Sequence, residues 1–283
     1  EYLSVHGVEY VRIPIPWWLD GAEFTYTHEN VTHTIQYGNS LYYIERAMEW
    51  AETYNIKVLL DLHTAPGGQN GFDNGGITGV LQWPSAANVA LTVDVIDFIA
   101  EHFSSYDSLW GIEVLNEPGW GVPLTTLMDF YEDAYGIIRA YNPEVWIGMH
   151  DGFRMNEWED FFTSNDFVNV VLDSHLYQCF GGHFREFDEE KHRKHALGRI
   201  EDLKRIEKFV PLIIGEWSLG VNRNDFVTVE NINDVEKVYA KAQLEAWKYC
   251  SGHTFWSYKI EDPNSGWNLR TLVERGIIDL KEF

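Results

Sequence analysis

Two glutamates stand at the ends of apolar, β-branched runs: Glu117 after Ile112-Glu113-Val114-Leu115-Asn116, and Glu216 after Leu212-Ile213-Ile214-Gly215. Other apolar runs end or carry polar groups in the same way. Arg12 lies within Val11-Arg12-Ile13-Pro14-Ile15, and Asp61 and His63 close the run that starts at Lys57. His150 and Asp151 follow Trp146-Ile147-Gly148-Met149, Asp173, His175 and Tyr177 follow Val170-Val171-Leu172, and Trp256 belongs to the last run. A pair of carboxyl groups held about 5–5.5 Å apart can cleave a glycosidic bond, one protonating the leaving oxygen and the other attacking the sugar. Asn116 could bond the sugar 2-hydroxyl, a contact that strengthens at the transition state. Arg12 would hold a nucleophilic carboxylate ionised by charge pairing, and Tyr177 could donate a hydrogen bond to it. Taken singly, an acid after a strand is more often a cap or a turn residue, and that reading is preferred for Asp61, Asp151 and Asp173. Convergence from so many runs is harder to explain that way.

Glu117 and Glu216 are far apart in the chain, so a fold must bring them together. Strands are expected at 8–15, 57–62, 109–115, 145–149, 168–172, 212–215 and 254–258, each a nearly continuous apolar run of the kind found in parallel sheets buried on both faces. Helical stripes separate them. Leu41, Ile44, Ala47, Met48 and Ala51 share a face, as do Leu91, Val95, Phe98 and Ile99. Leu127, Tyr131, Ala134 and Ile138 form another stripe, and Val235, Val238, Ala242, Ala246 and Tyr249 a fourth. Residues 189–208 are highly charged but keep Leu197, Ile200 and Leu203 at helical spacing, which predicts one surface helix. Strand–helix alternation at even spacing predicts an α/β fold, a (β/α)8 TIM barrel with active-site residues at the strand ends. No linker or composition break divides the chain, so residues 1–283 are expected to form one catalytic domain. The strand count is seven where such a barrel needs eight. Residues 1–7 resemble the tail of a helix, so the first strand is expected upstream, missing from this chain, and the domain N-terminally incomplete.

Composition narrows the partners. Lys and Arg total 21 against 44 Asp and Glu, a formal charge of −23. Such a surface repels phosphate backbones and anionic lipid, so neither nucleic acid nor membrane is expected as a partner. No apolar run reaches the roughly 20 residues that span a bilayer. Twelve Trp, 15 Tyr and 16 Phe include many in expected loops (Trp17, Trp18, Phe72, Trp83, Trp120, Trp158, Phe180). Their faces could stack on sugar rings or simply fill a core, since aromatics carry large apolar area. Cys179 and Cys250 are too few for a disulfide framework or a zinc cage and are expected as buried free thiols. The chain opens without a signal peptide. Secretion would suit a polysaccharide hydrolase, but the compartment stays open.

Five ordered motifs resemble glycoside hydrolase family 5: Val11-Arg12-Ile13-Pro14, Asp61-Leu62-His63, Asn116-Glu117-Pro118, His175-Leu176-Tyr177 and Gly215-Glu216-Trp217. The resemblance implies Glu117 as acid/base and Glu216 as nucleophile. It also implies that Arg12, His63, Asn116, His175, Tyr177 and Trp256 line the subsite for the glycosyl ring. The stretch from Asp61 through Pro66-Gly67-Gly68-Gln69-Asn70-Gly71-Phe72-Asp73-Asn74 is similar to the loop of the exo-β-1,3-glucanase branch. There Asn74 would bond the terminal glucose, and Phe72 and Phe180 would gate the leaving sugar. Tyr258 stands where the branch often carries a second Trp, and the branch draws a further acidic sugar ligand from its first strand.

Other chemistries fit less well. His192 and His195 lie three apart among Lys191, Arg193 and Lys194, which repel a cation, and are expected on a solvated face. His-Glu-x-x-His is absent, Ser218 lacks a nucleophile elbow, and no nicotinamide or phosphate-loop fingerprint occurs, so neither metal nor cofactor is expected. The reading is therefore a retaining hydrolase acting as a monomer on β-glucan or β-glucoside oligosaccharides and releasing glucose from the non-reducing end, the linkage expected being β-1,3. The alternatives are an endo-β-1,4-glucanase or diglycosidase of the same chemistry, and a barrel that binds carbohydrate without cleaving it.

Overall fold

A computed structural model describes residues 1–19, 23–28, 31–36, 40–221, 231–263 and 265–282. The chain forms two compact units, one spanning Glu9–Phe153 with Glu1, the other Arg154–Phe283 with Tyr2–Val8. A single helical turn, α1 (Tyr2–Val5), opens the chain.

In the first unit, β1 (Tyr10–Ile15), β4 (Lys57–Leu62), β5 (Leu109–Glu113) and β6 (Trp146–His150) pair in parallel in that order. The helices α2 (Ser40–Thr53), α3 (Ala86–Phe103) and α4 (Leu124–Tyr141) fall between the later strands. On α2 the predicted stripe buries Ile44, Met48 and Ala51, and on α4 Leu127, Tyr131, Ala134 and Ile138, whereas α3 buries Thr92, Ile96, Ile99, Ala100 and Phe103 and leaves Leu91 of its predicted stripe exposed. Ser85 caps α3 by accepting the Asn88 N–H. In register, Pro14 pairs with Asp61, Asp61 with Glu113, and Glu113 with Gly148. Two carboxylates thus stand side by side on neighbouring strands. Gly148 leaves room for one of them, since a Cβ there would come within 3.1 Å of the Glu113 Cβ.

The second unit repeats the scheme with β7 (Val170–His175), β8 (Leu212–Trp217) and β9 (Gly252–Phe255), parallel and in order. Every residue of β7 and β8 is buried, which is why Val170-Val171-Leu172 and Leu212-Ile213-Ile214 read as continuous apolar runs rather than alternating ones. The helices here are α5 (Glu159–Ser164), α6 (Glu189–Gly198), α7 (Ile200–Ile206), α8 (Ile232–Trp247) and α9 (Leu269–Glu274).

Four expectations need correction. Residues 189–208 make two helices, α6 ending at Gly198 and α7 starting at Ile200, where one was expected. The last strand stops at Phe255, so Trp256 and Tyr258 follow it; the Trp256 N–H still bonds the Trp217 carbonyl at 2.8 Å, and the Trp256–Ser257 peptide is cis. An antiparallel hairpin, β2 (Glu23–His28) with β3 (Val31–Gln36), occupies a stretch given no structure from sequence, although its Phe-Thr-Tyr-Thr and Val-Thr-His-Thr-Ile runs alternate with the period of a strand. His192 is not solvated. It is 1% exposed, shares a 2.9 Å hydrogen bond from Nδ1 with Gln178 Oε1, and lies against Phe184, Phe187 and Tyr239. A helix carrying Lys191, Arg193 and Lys194 on one side can still bury the residue that falls on the other.

Burial pushes the pKa values of His192, His195 and His253 down to about 4. Unfolded, these imidazoles take a proton near pH 6.5, so between about pH 6.5 and 4 the unfolded chain binds more protons than the folded one. Stability is therefore full above about pH 6.5 and declines as the pH falls towards 4. Thermal melts at about pH 7 and about pH 5 should show the lower Tm at the acid value, and a Tm that rises on acidification would contradict this. Cys179 and Cys250 are free and partly buried, and burial pushes their thiols up to about 11 and about 12.

Candidate active site

In the first unit the strand ends supply a charged network. Arg12 Nε and Nη2 donate to the two carboxylate oxygens of Glu113, at 2.6 and 2.9 Å. Nη2 also donates to Asn116 Oδ1 at 2.9 Å and lies 3.1 Å from Asp61 Oδ2. The same Asp61 oxygen is 2.6 Å from His63 Nδ1. Arg12, Asp61 and Glu113 have side chains at most 3% exposed, a depth at which a charge persists only if paired and hydrogen-bonded. The planar guanidinium suits this duty, because it meets a carboxylate with two parallel N–H bonds. Asp61, read from sequence as a structural acid, thereby orients both Arg12 and His63. The guanidinium also supplies the positive charge that a cation would otherwise have to bring to these carboxylates.

Glu117 follows in the turn after β5, with φ at +43°. Left-handed backbone is uncommon for a residue with a Cβ, and a following proline ordinarily pushes its predecessor to an extended conformation. The turn is held from both sides. The Asn116 N–H bonds the Leu62 carbonyl and the Gly119 N–H bonds the Gln69 carbonyl, each at 2.9 Å. Glu117 is 6% exposed, and Asn74 Nδ2 donates to its Oε2 at 2.5 Å.

In the second unit Glu216, 4% exposed, lies on β8 opposite His175 on β7. Pairing slips by a residue on both sides of Gly215, between Asp173 and His175 and between Ile214 and Trp217. Such an irregularity re-aims the side chains that follow it. Glycine is required at its centre: a Cβ on Gly215 would lie 2.0 Å from Asp173 Oδ2. The buried Asp173 instead accepts the Gly215 N–H at 2.7 Å and has Oδ2 3.4 Å from His175 Nε2. Glu216 Oε2 accepts the Tyr177 hydroxyl at 2.7 Å and lies 3.5 Å from His175 Nδ1. The nucleophile expected from sequence therefore accepts the Tyr177 O–H and has an imidazole nitrogen beside it.

Aromatic rings surround each set. Phe72, 44% exposed, meets Phe153 edge-on, and the exposed Trp120 stacks on Phe153 at 6.3 Å. Phe180, 64% exposed, packs edge-on against Tyr177 at 5.3 Å, and Trp267 approaches both rings at 5.1 and 6.0 Å. Thus Arg12, His63, Asn116, Glu117, Asn74 and Phe72 belong to the first unit, while His175, Tyr177, Phe180, Glu216 and Trp256 belong to the second. Sequence reasoning passed over Glu113, Gln69, Phe153 and Trp267. For Glu113 the signal was an acid inside an otherwise apolar strand, which demands a buried partner.

Residues 2–262 match the family model described as Cellulase (glycosyl hydrolase family 5). A glucan 1,3-beta-glucosidase of Blumeria graminis is 32% identical over 311 residues, covering 96% of this chain and 70% of that protein. Glucan 1,3-beta-glucosidase 1 of Schizosaccharomyces pombe is 28% identical over 304 residues, with 96% and 70% covered. Among solved structures, a rutinosidase from Aspergillus niger superposes with a TM-score of 0.77 at 20% identity, covering 97% of this chain and 80% of its own. A hyperthermophilic endo-beta-1,4-glucanase in complex with substrate gives 0.64 at 18% identity, covering 95% and 83%. At such identities the structural likeness speaks for the fold, a (β/α)8 barrel.

Proposed function

The chain belongs to glycosyl hydrolase family 5, and on that premise we propose that it releases glucose from the non-reducing end of β-1,3-linked glucans or glucosides, with Glu117 as acid/base and Glu216 as nucleophile. Like the family, it is a retaining glycosidase. Residues 1–283 act as one catalytic domain, since the family match runs through both units, and the working form is a monomer.

The observation that supports the two roles is that each carboxylate receives a donor from a neighbouring site residue: Asn74 to Glu117, Tyr177 to Glu216. In the first step Glu216 attacks the anomeric carbon while Glu117 protonates the glycosidic oxygen, whose bond to carbon breaks and whose electron pair leaves with the aglycone. The Tyr177 hydroxyl donates to Glu216 Oε2 and orients the carboxylate. In the second step Glu117 takes a proton from water, which displaces Glu216 from the glycosyl ester and restores the β configuration. Asn116 Nδ2 is buried without a hydrogen-bond partner among the described residues, a donor that would fit the 2-hydroxyl of the sugar. Arg12 holds Asn116 by its oxygen, which turns that amide nitrogen outward from the guanidinium. Phe72 and Phe180, both exposed rings, would flank the leaving sugar.

Superposition on a rutinosidase favours one second reading, a diglycosidase that releases a disaccharide. A product profile on laminari-oligosaccharides, cello-oligosaccharides and rutin separates them. Glucose as first product from laminaribiose, initially in the β form, is the expected result. A ladder of oligosaccharides would indicate endo action, rutinose a diglycosidase, and sugar binding without any product a barrel that only binds.

A further inference from the structure

Gln69 and Asn70 lie in the loop after β4, and both are buried. Gln69 uses all the polar atoms of its side chain. Its Nε2 donates to the carbonyls of His63 and Asn116 at 2.9 and 3.0 Å, and its Oε1 accepts the Ala65 N–H at 3.1 Å. Its own carbonyl accepts the Gly119 N–H. One residue thereby fixes the backbone on both sides of Glu117-Pro118, where Glu117 is left-handed.

Asn70 does the same for side-chain polarity. The Phe72 N–H can only donate, and it donates to Asn70 Oδ1 at 2.8 Å. The other end of that amide must therefore be the nitrogen. It donates to Asn74 Oδ1 at 3.1 Å, which leaves Asn74 Nδ2 to donate to Glu117 Oε2. Glycines shape the seat of Asn70: a Cβ on Gly75 would lie 2.6 Å from Asn70 Oδ1, and one on Gly119 would lie 3.0 Å from Asn70 Cα.

We propose that Gln69 and Asn70 are positioning residues for the acid/base, holding Glu117 with Oε2 engaged by an N–H so that the proton of its acid form resides on Oε1. Glu117 Oε1 then gives that proton to the glycosidic oxygen as the bond to the anomeric carbon breaks, and in the second step takes one from water. The inference rests on the assignment of Glu117 as acid/base.

The test compares kcat/KM for laminaribiose, whose leaving alkoxide needs a proton, with that for dinitrophenyl β-glucoside, whose phenolate leaves without one. Asn70→Ala and Gln69→Met should each lose roughly ten- to hundredfold on laminaribiose and less than about threefold on the aryl glucoside, the loss expected of a misaimed proton donor. A fraction of unfolded enzyme lowers both values alike and cancels in the ratio, so a purely structural role leaves the ratio at its parent value. That result in both variants would overturn the proposal. Glu117→Gln is the control. If it separates the two substrates and the other variants do not, the positioning role falls alone. If Glu117→Gln depresses both substrates equally, the acid/base assignment falls first.

Discussion

Glu216→Ala should abolish turnover, by a factor on the order of 10⁵ or more, the scale seen when a hydrolase loses its covalent nucleophile. The fold should survive, and Tm should hold or rise. Glu216 is a carboxyl group at 4% exposure whose neighbours include the Tyr177 hydroxyl and the His175 ring, and a buried ionisable group of this kind is weak evidence for stability. Sites of this kind commonly trade stability for function. The direction of attack can be read separately. In Glu216→Ala, added azide would take the place of the missing carboxylate, attack the anomeric carbon of an activated β-glucoside and give the α-glucosyl azide. In Glu117→Gln the nucleophile is intact, so azide would enter at the second step and give the β-glucosyl azide. Wild-type activity in Glu216→Ala, or the β product from it, would remove Glu216 from the role.

The largest expected loss of stability lies in the other unit. Arg12→Leu removes a guanidinium that meets Glu113 through two bonds, Asn116 through a third and Asp61 at 3.1 Å. Both carboxylates have fully buried side chains and stand side by side in register. Removing one partner from a buried ionic network leaves uncompensated charge, which costs about 3–5 kcal/mol. For a chain of this size that corresponds to a Tm drop of roughly 6–20 °C. Arg12→Lys should recover little, since a single ammonium cannot reproduce two parallel bonds. Adding Glu113→Gln to Arg12→Leu should restore part of the loss by removing one of the stranded charges. Chemical denaturation of the four proteins measures this, and a loss below about 1 kcal/mol in Arg12→Leu would refute it.

The strands and the candidate site residues were legible in the sequence for one shared reason. A parallel strand buried on both faces is apolar over most of its length, and the polar residues at or just beyond its C-terminal end stand out against that run. Thus Lys57–Leu62 was placed to the residue, and Glu117, Glu216, His63, His175 and Tyr177 were found by asking what ends each run. What stayed hidden depends on pairing between distant side chains. Nothing adjacent to Glu113 in the sequence announces Arg12 as its partner, and Gln69 reads as one more polar loop residue until its bonds to His63, Ala65 and Asn116 are seen. His192 was misplaced because three charged neighbours dominate local composition, while burial is decided by the one helix face that meets Phe184, Phe187 and Tyr239. The β2–β3 hairpin was missed for a different reason: its alternation is short, and threonine is ambiguous between loop and strand.

The left-handed backbone at Glu117 carries a lesson for selection. Glycine is the residue that conformation prefers, and glycine at such a position ordinarily relieves strain that a Cβ must bear. A search that rewarded thermal tolerance alone would therefore drift towards losing the glutamate proposed as acid/base. Keeping a glutamate there requires pressure on turnover, so among relatives of this chain a glycine at that position would be the mark of a barrel released from catalysis.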